Sequence, residues 1–420
     1  MANRYGSAKG FFKRNISVIT MGLTALVIAG TADLFAGILQ DQMTGYLFTG
    51  MMILIYSAIG MRGNIFGATG SRIGTAMNIG AFEMSIKKGT VLRANIESTV
   101  VLTLIMSIAM GITTWVASML IYPGADDLMN ISDFIFISTI GGVIAGIIVL
   151  MFNILIAYIG NKREWDVDNI TAPLIAAVGD IVTMPMIFAS TWLLLKVRDG
   201  LEIGPTVVLS ISLALILITI VMAVHIIKRK VNKRDFSGEA KRVIVQSLPV
   251  LMLCLIFEIG AGIIIQNEQD KLVEYSVLLI MLPAFLNEGN ALSGMLTSRL
   301  SSMIHLGTLE DKWVPGSGAY ENFGIMSVCA MLTFVYIGII SFGAAILTGG
   351  ADNITVLTSL GIIVFAGFLA TTILNFLSYY VAIAATKFGL DPDDHCIPIT
   401  SSVMDMLGSM VLVLIITLFI

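Results

Sequence analysis

Apolar residues in this chain come in runs of about twenty, separated by short polar connections. A helix of that length crosses roughly 30 Å of hydrocarbon. A barrel would instead show alternating strands of about ten residues, a pattern this chain lacks. The runs predict eleven spans, at about 15–39, 43–61, 93–121, 131–160, 172–196, 204–227, 243–265, 273–287, 321–348, 353–387 and 396–420. Two further segments, 64–80 and 290–306, are rich in Gly, Ser and Thr and too polar to face lipid. They read as broken or re-entrant helices, tolerated where protein or a wet cavity covers them. The expected fold class is an all-α polytopic membrane protein.

The order of polar positions repeats. "FGATGSRIGTAMNIGAFE" (66–83) parallels "SGMLTSRLSSMIHLGTLE" (293–310), with Ser71-Arg72 and Ser298-Arg299 227 residues apart. Gly63-Asn64 matches Gly289-Asn290 at 226, so the second copy has one more residue before its Ser-Arg. "DVDNITAPLIAAVGD" matches "DPDDHCIPITSSVMD" at 225, pairing Asp166, Asp168, Pro173 and Asp180 with Asp391, Asp393, Pro398 and Asp405. Asp33 pairs with Glu258 at the same spacing. Each copy holds five spans, and the unmatched span 204–227 restores the direction of the second. The repeats are therefore expected to be parallel and related by an axis along the membrane normal. The implied division is a cytoplasmic tail 1–14, a first repeat 15–197, a linking helix with a basic loop 198–242, and a second repeat 243–420.

Composition sharpens this. The chain is 57% hydrophobic and 12% charged, where soluble domains carry roughly 25% charged residues. No cleavable signal peptide is evident, since the first run is a full-length span preceded by Arg4, Lys9, Lys13 and Arg14. With the N-terminus inside, the outer loops carry only Lys196, Arg198 and Lys271, and the C-terminus falls outside. The basic loop "KRKVNKRDFSGEAKR" (228–242) reads as a topology anchor, with a lipid or nucleotide site as the other reading. Cys254, Cys329 and Cys396 lack metal-ligand spacing and read as buried thiols. No Ser/His, HExxH or Cys nucleophile arrangement appears at depth. The chain is thus expected not to be an enzyme, to carry no cofactor and to bind no nucleic acid.

Four acids lie inside spans: Asp33, Asp180, Glu258 and Asp405. An acid in hydrocarbon costs about 2.5–3.5 kcal/mol, so intramembrane acids are functional candidates. Asp180 is seven residues beyond Pro173, or roughly 10 Å along a helix, which approaches the midplane. Two carboxylates close together cannot both stay ionised without a cation. Asp180 and Asp405 therefore read as a paired cation site on the axis, and the competing reading is a protonated acid holding helices together. Asp33 and Glu258 read as an outer ring that concentrates cations, or as interfacial residues. Gly63, Asn64, Gly289 and Asn290 read as the lining of the inner mouth, with helix capping as the alternative for the asparagines. Arg72 and Arg299 are expected to bind carbonyls, phosphate headgroups, or Glu83 and Glu310. The donors are all oxygens, which disfavours Zn²⁺ or Cu⁺. Mg²⁺ dehydrates reluctantly and touches only one or two carboxylates, so it suits this sparse set.

At these residues the chain resembles the integral-membrane domain of the MgtE / solute carrier 41 magnesium transport family. "RGNIFGATGSRIGTAMNIG" and "DVDNITAPLIAAVGD" look like its two hallmark segments, and each recurs in the second half. The resemblance implies a cation pathway between two five-helix units, with Asp180 and Asp405 from their last helices at the central magnesium site. In bacterial MgtE the units come from two subunits, whereas here, as in solute carrier 41 proteins, they are fused, so that one chain suffices for a pore. About 14 residues precede the first span, too few for the cytosolic sensor domains of bacterial MgtE. The expected function is divalent cation transport across the plasma membrane, with Mg²⁺ as cargo. Selectivity for Mn²⁺, Co²⁺ or Ca²⁺ is one alternative, and a proton- or sodium-coupled transporter of another solute is a second. Channel and carrier remain equally open.

Overall fold

The computed structural model describes residues 8–78, 80–163, 167–201, 203–228, 238–350, 354–388 and 396–420, with the side chains of 8, 9, 13, 78, 157, 160–177 and 305 outside the description as well. Asp166, Asp168, Pro173, Asp391, Asp393 and most of the basic loop 228–242 therefore lie outside the described residues. The helices are α1 (Ala8–Gln42), α2 (Met51–Asn78), α3 (Val91–Ile121), α4 (Ile131–Arg163), α5 (Val167–Gly200), α6 (Gly204–Lys228), α7 (Glu239–Asn267), the short α8 (Gln269–Glu274), α9 (Ser276–His305), α10 (Ser317–Thr348), α11 (Val356–Phe388) and α12 (Ile397–Phe419). Eleven of them are long and apolar enough to span a bilayer, and the chain is a multi-pass membrane protein.

The two broken segments are a correction. Residues 64–78 continue α2, and 290–305 continue α9, without interruption. Their hydroxyls are compatible with helix because they bond within it: Thr69 Oγ1 donates to the Ile65 carbonyl at 2.8 Å. Polarity at these positions reflects burial in protein. The spans of α2 and α9 are 78% and 83% buried, more than any other. They form the centre of the bundle, and most residues of the two polar segments are covered at least in part by protein, with Thr75, Ser298 and Ser302 exposed.

Around this centre the halves interlock. α1 of the first repeat packs on α9 of the second, and α7 of the second packs on α2 of the first. Both contacts are close because each has a glycine at its crossing. A Cβ on Gly37 would stand 1.9 Å from the Ile280 carbonyl oxygen, and one on Gly262 would stand 2.6 Å from Ile53 Cα. Gly37 and Gly262 are 225 residues apart, Ile53 and Ile280 227 apart, so the same crossing is built twice. The repeated arginines are placed twice in the same way. Arg72 Nε donates to Asn95 Oδ1 at 2.9 Å, and Arg299 Nε to Asn322 Oδ1 at 3.0 Å. These bonds tie α2 to α3 and α9 to α10, so neighbouring asparagines supply the acceptors expected of carbonyls or headgroups.

Arg62 breaks the symmetry. The continuity of α2 carries Arg62 into the bundle at 4% exposure. Its guanidinium donates to the Gly142 carbonyl at 2.5 Å and lies along Gly142 and Gly146 of α4, beside Ser107. At the equivalent place in the second repeat, Gly289 replaces the arginine and Phe334 presses on Gly367. An aromatic ring covers Gly367 there as the guanidinium covers Gly142 here. Cys254, Cys329 and Cys396 are buried, and none is in a disulfide. The linking helix α6 lies on the outside, against α3, α4 and α5, and only 17% of its span is buried.

Candidate functional site

All four intramembrane acids are buried: Asp33 and Glu258 at 1% exposure, Asp180 at 3% and Asp405 at 6%. α1 carries Asp33 and α5 carries Asp180, and these helices pack so that the two carboxyls adjoin. α7 and α12 do the same for Glu258 and Asp405. Asp180 also lies within electrostatic range of Asp405. Asp33 and Glu258 thus stand beside the aspartates of the last helices, at the same depth. This corrects the expected separate outer ring. Its physical reason is the interlock, which draws α1 and α7 inward against α9 and α2.

Neutral donors meet three of these acids, Asp33, Glu258 and Asp405. Asn287 Nδ2 of α9 donates to Asp33 Oδ2 at 2.7 Å, while Asp33 Oδ1 receives no hydrogen bond. Asn290 Nδ2 donates to both oxygens of Asp405, at 2.9 and 3.0 Å. Ser402 Oγ donates to Glu258 Oε1 at 2.7 Å and receives a bond from Asn64 Nδ2 at 2.8 Å. Ser401 Oγ in turn donates to Asn64 Oδ1 at 2.9 Å. Gly60 of α2 lies against the Glu258 carboxylate, where a Cβ would fall 2.1 Å from Oε2. Among the described residues none of the four acids forms an ion pair.

The asparagines of the two Gly-Asn segments are not equivalent. Because the second copy has an extra residue, Asn290 falls at the helical position of Gly63, and Asn64 at that of Ala291. One residue turns a helix by about 100°, so Asn64 reaches across to α12 of the other repeat, while Asn290 reaches α12 of its own. Both converge on α12 and neither caps a helix. A Cβ on Gly63 or Gly289 would meet nothing within 4 Å, so both border open space.

Asn287, Gly60, Ser401, Ser402 and Glu288 were missed in the sequence. Glu288 is 1% exposed on α9, and neither of its oxygens receives a hydrogen bond. The neighbouring Thr333 hydroxyl donates to the Cys329 carbonyl at 2.8 Å instead. The signal available was the run "LNEGN" directly before the second polar segment, read as a span end.

Chemically, two adjoining carboxyl pairs without a base repel unless protons or a cation intervene. Among the described residues no three carboxylate, imidazole or thiol side chains converge as an ion cage. The arrangement is a set of pairs, suited to an ion that keeps much of its water.

The chain matches the family model of MgtE, described as a divalent cation transporter, twice, over residues 55–190 and 282–415. These segments run from α2 into α5 and from α9 into α12. Solute carrier family 41 member 2 of Mus musculus is 25% identical, covering 93% of this chain and 69% of that protein. Solute carrier family 41 member 3 of Rattus norvegicus is 22% identical over 87% of this chain and 78% of that protein. Member 2 of Homo sapiens is 25% identical, over 93% and 69% respectively. No solved structure matches the chain.

Proposed function

This chain belongs to the MgtE family of divalent cation transporters, and from that premise we propose that it moves Mg²⁺ between its two repeats, past Asp180 and Asp405. Asp33 and Glu258 flank these aspartates and raise the local negative charge. Asn64 and Asn290, with Gly63 and Gly289, line the pathway beside them. The single observation that supports this most is that each repeat buries two adjoining acids within its spans, with neutral donors on Asp33, Glu258 and Asp405. A structural role would be expected to supply a base, and the buried base present, Arg62, is instead engaged with α4.

Mg²⁺ suits the site because two facing carboxylates can hold a largely hydrated ion, while Ca²⁺ demands six to eight oxygens. The asymmetry of basic residues favours a cytoplasmic N-terminus, an extracytoplasmic C-terminus and a plasma-membrane location. The repeats supply both halves of the pathway, so one chain is sufficient, and its activity is transport without catalysis or a resident cofactor. Coupling to Na⁺ or H⁺ would use the same carboxyls, since an arriving divalent ion displaces what neutralised them.

Mg²⁺ uptake into proteoliposomes, followed with an entrapped dye, tests this. Wild type is expected to take up Mg²⁺, and Asp180→Asn and Asp405→Asn to lose at least an order of magnitude in rate, since each removes one of the two carboxylate charges. Unchanged uptake in either variant would overturn the assignment. A requirement for a Na⁺ or proton gradient would identify a carrier, and gradient-independent flux a channel.

A further inference from the structure

α6 belongs to neither repeat, and the pathway makes no use of it. Between α6 and α3 lies an apolar slot of about 400 Å³, lined by Ile105, Ile108 and Ile112 of α3 and by Ile216, Ile220 and Ala223 of α6. Next to it is a second hollow of about 670 Å³, which shares Ile220 and Val224 with the slot. Its rim is basic: Lys88 from the α2–α3 connection, and His225 and Lys228 from the last turn of α6. One end of this continuous crevice is therefore all hydrocarbon, and the other carries two ammonium groups and an imidazole. The basic end lies where α6 finishes and α3 begins, at one surface of the membrane.

We propose that this crevice binds an anionic phospholipid, with an acyl chain in the apolar slot and the phosphate headgroup on Lys88, His225 and Lys228. Charge complementarity selects this occupant. A zwitterionic lipid would fill the slot but leave the basic rim without a net partner, and a protein helix would bring no phosphate to it. Basic pockets between membrane helices recognise anionic headgroups in this way. The lipid fills the gap between α6, which is mostly exposed, and the first repeat. It acts as a wedge that fixes the connection between the two halves.

The test is native mass spectrometry of the full chain released from detergent with phosphatidylglycerol, phosphatidylcholine, or inorganic phosphate as competitor. Wild type is expected to retain one phosphatidylglycerol with a preference over phosphatidylcholine on the order of tenfold or more. The preference should vanish in the triple variant K88Q/H225Q/K228Q. Ile220→Trp, which fills the slot from an exposed position, should lower retention of the lipid while inorganic phosphate fails to displace it. Lys271→Gln, at the opposite ends of the helices, should change nothing. Equal retention of the two lipids by wild type would overturn the proposal without any variant. So would a preference that survives the triple substitution, or displacement by phosphate alone, which would mark a simple anion site.

Discussion

The two halves place their first-helix acid by opposite means. In one, the short Asp33 is met by Asn287, whose amide donates to it at 2.7 Å. In the other, Glu258 is one methylene longer, and the residue equivalent to Asn287 is Gly60, which leaves the room that the carboxylate occupies. What one side loses in reach the other gains, so the acid and the residue facing it vary together between the two halves. The same holds at the buried arginine. Arg62 lies along Gly142 in one repeat, and Phe334, the residue equivalent to Ser107, lies against the equivalent Gly367 in the other. A pseudo-symmetric transporter can thus diverge residue by residue while its site keeps its shape.

Substitutions that force one half to resemble the other test this reading, and the arginine should give the largest effect. Arg62→Gly alone leaves a cavity and strips the Gly142 carbonyl of its donor, at a cost of about 3–5 kcal/mol. Adding Ser107→Phe should recover much of the lost thermal stability, because it installs the packing of the second repeat. No recovery would show that the guanidinium has a task beyond filling space. Gly60→Ala comes next, forcing a methyl into the Glu258 carboxylate at about 1–3 kcal/mol. It should also slow Mg²⁺ uptake, and Glu258→Asp in the same chain should restore both. Restoration of stability without transport would separate the shape of the site from its chemistry.

Asn287→Ala removes the donor seen at Asp33, and about 1–2 kcal/mol of stability should go with it. Thermal unfolding in detergent measures this. The equivalent change opposite cannot be made, since that residue is already glycine. Glu288→Met should have the smallest effect. It installs the residue of the first repeat, Met61, in place of a carboxyl that receives no hydrogen bond. Removing a buried, unbonded polar group is near neutral or stabilising. A fall in Mg²⁺ uptake instead would extend the working site to Glu288.

Much of this was legible in the sequence because lipid imposes strong rules. Span number, the duplication and the presence of four acids inside spans follow from the length of apolar runs, fixed offsets and the cost of charge in hydrocarbon, whereas the depth shared by Asp33 and Glu258 with the two aspartates does not. Continuity of α2 and α9 was not legible. Local polarity does not say whether protein or lipid covers a helix, and only the interlock of α1 with α9 and of α7 with α2 provides that cover. The partners of the acids were hidden for the same reason. Gly60, Asn287 and Ser402 are ordinary residues until the packing brings them to a carboxylate. The one-residue shift between Asn64 and Asn290 was visible as a spacing, but its consequence, that both asparagines serve α12, depends on helical rotation.

The central claim is that acids from opposite repeats hold one ion together. Mg²⁺ affinity, read from thermal stabilisation across wild type, Asp180→Asn, Asp405→Asn and the double variant, tests it most directly. A shared site predicts that either single substitution removes nearly all of the stabilisation and that the second adds almost nothing. Losses that simply add would mean two separate sites, one in each half, and would contradict it.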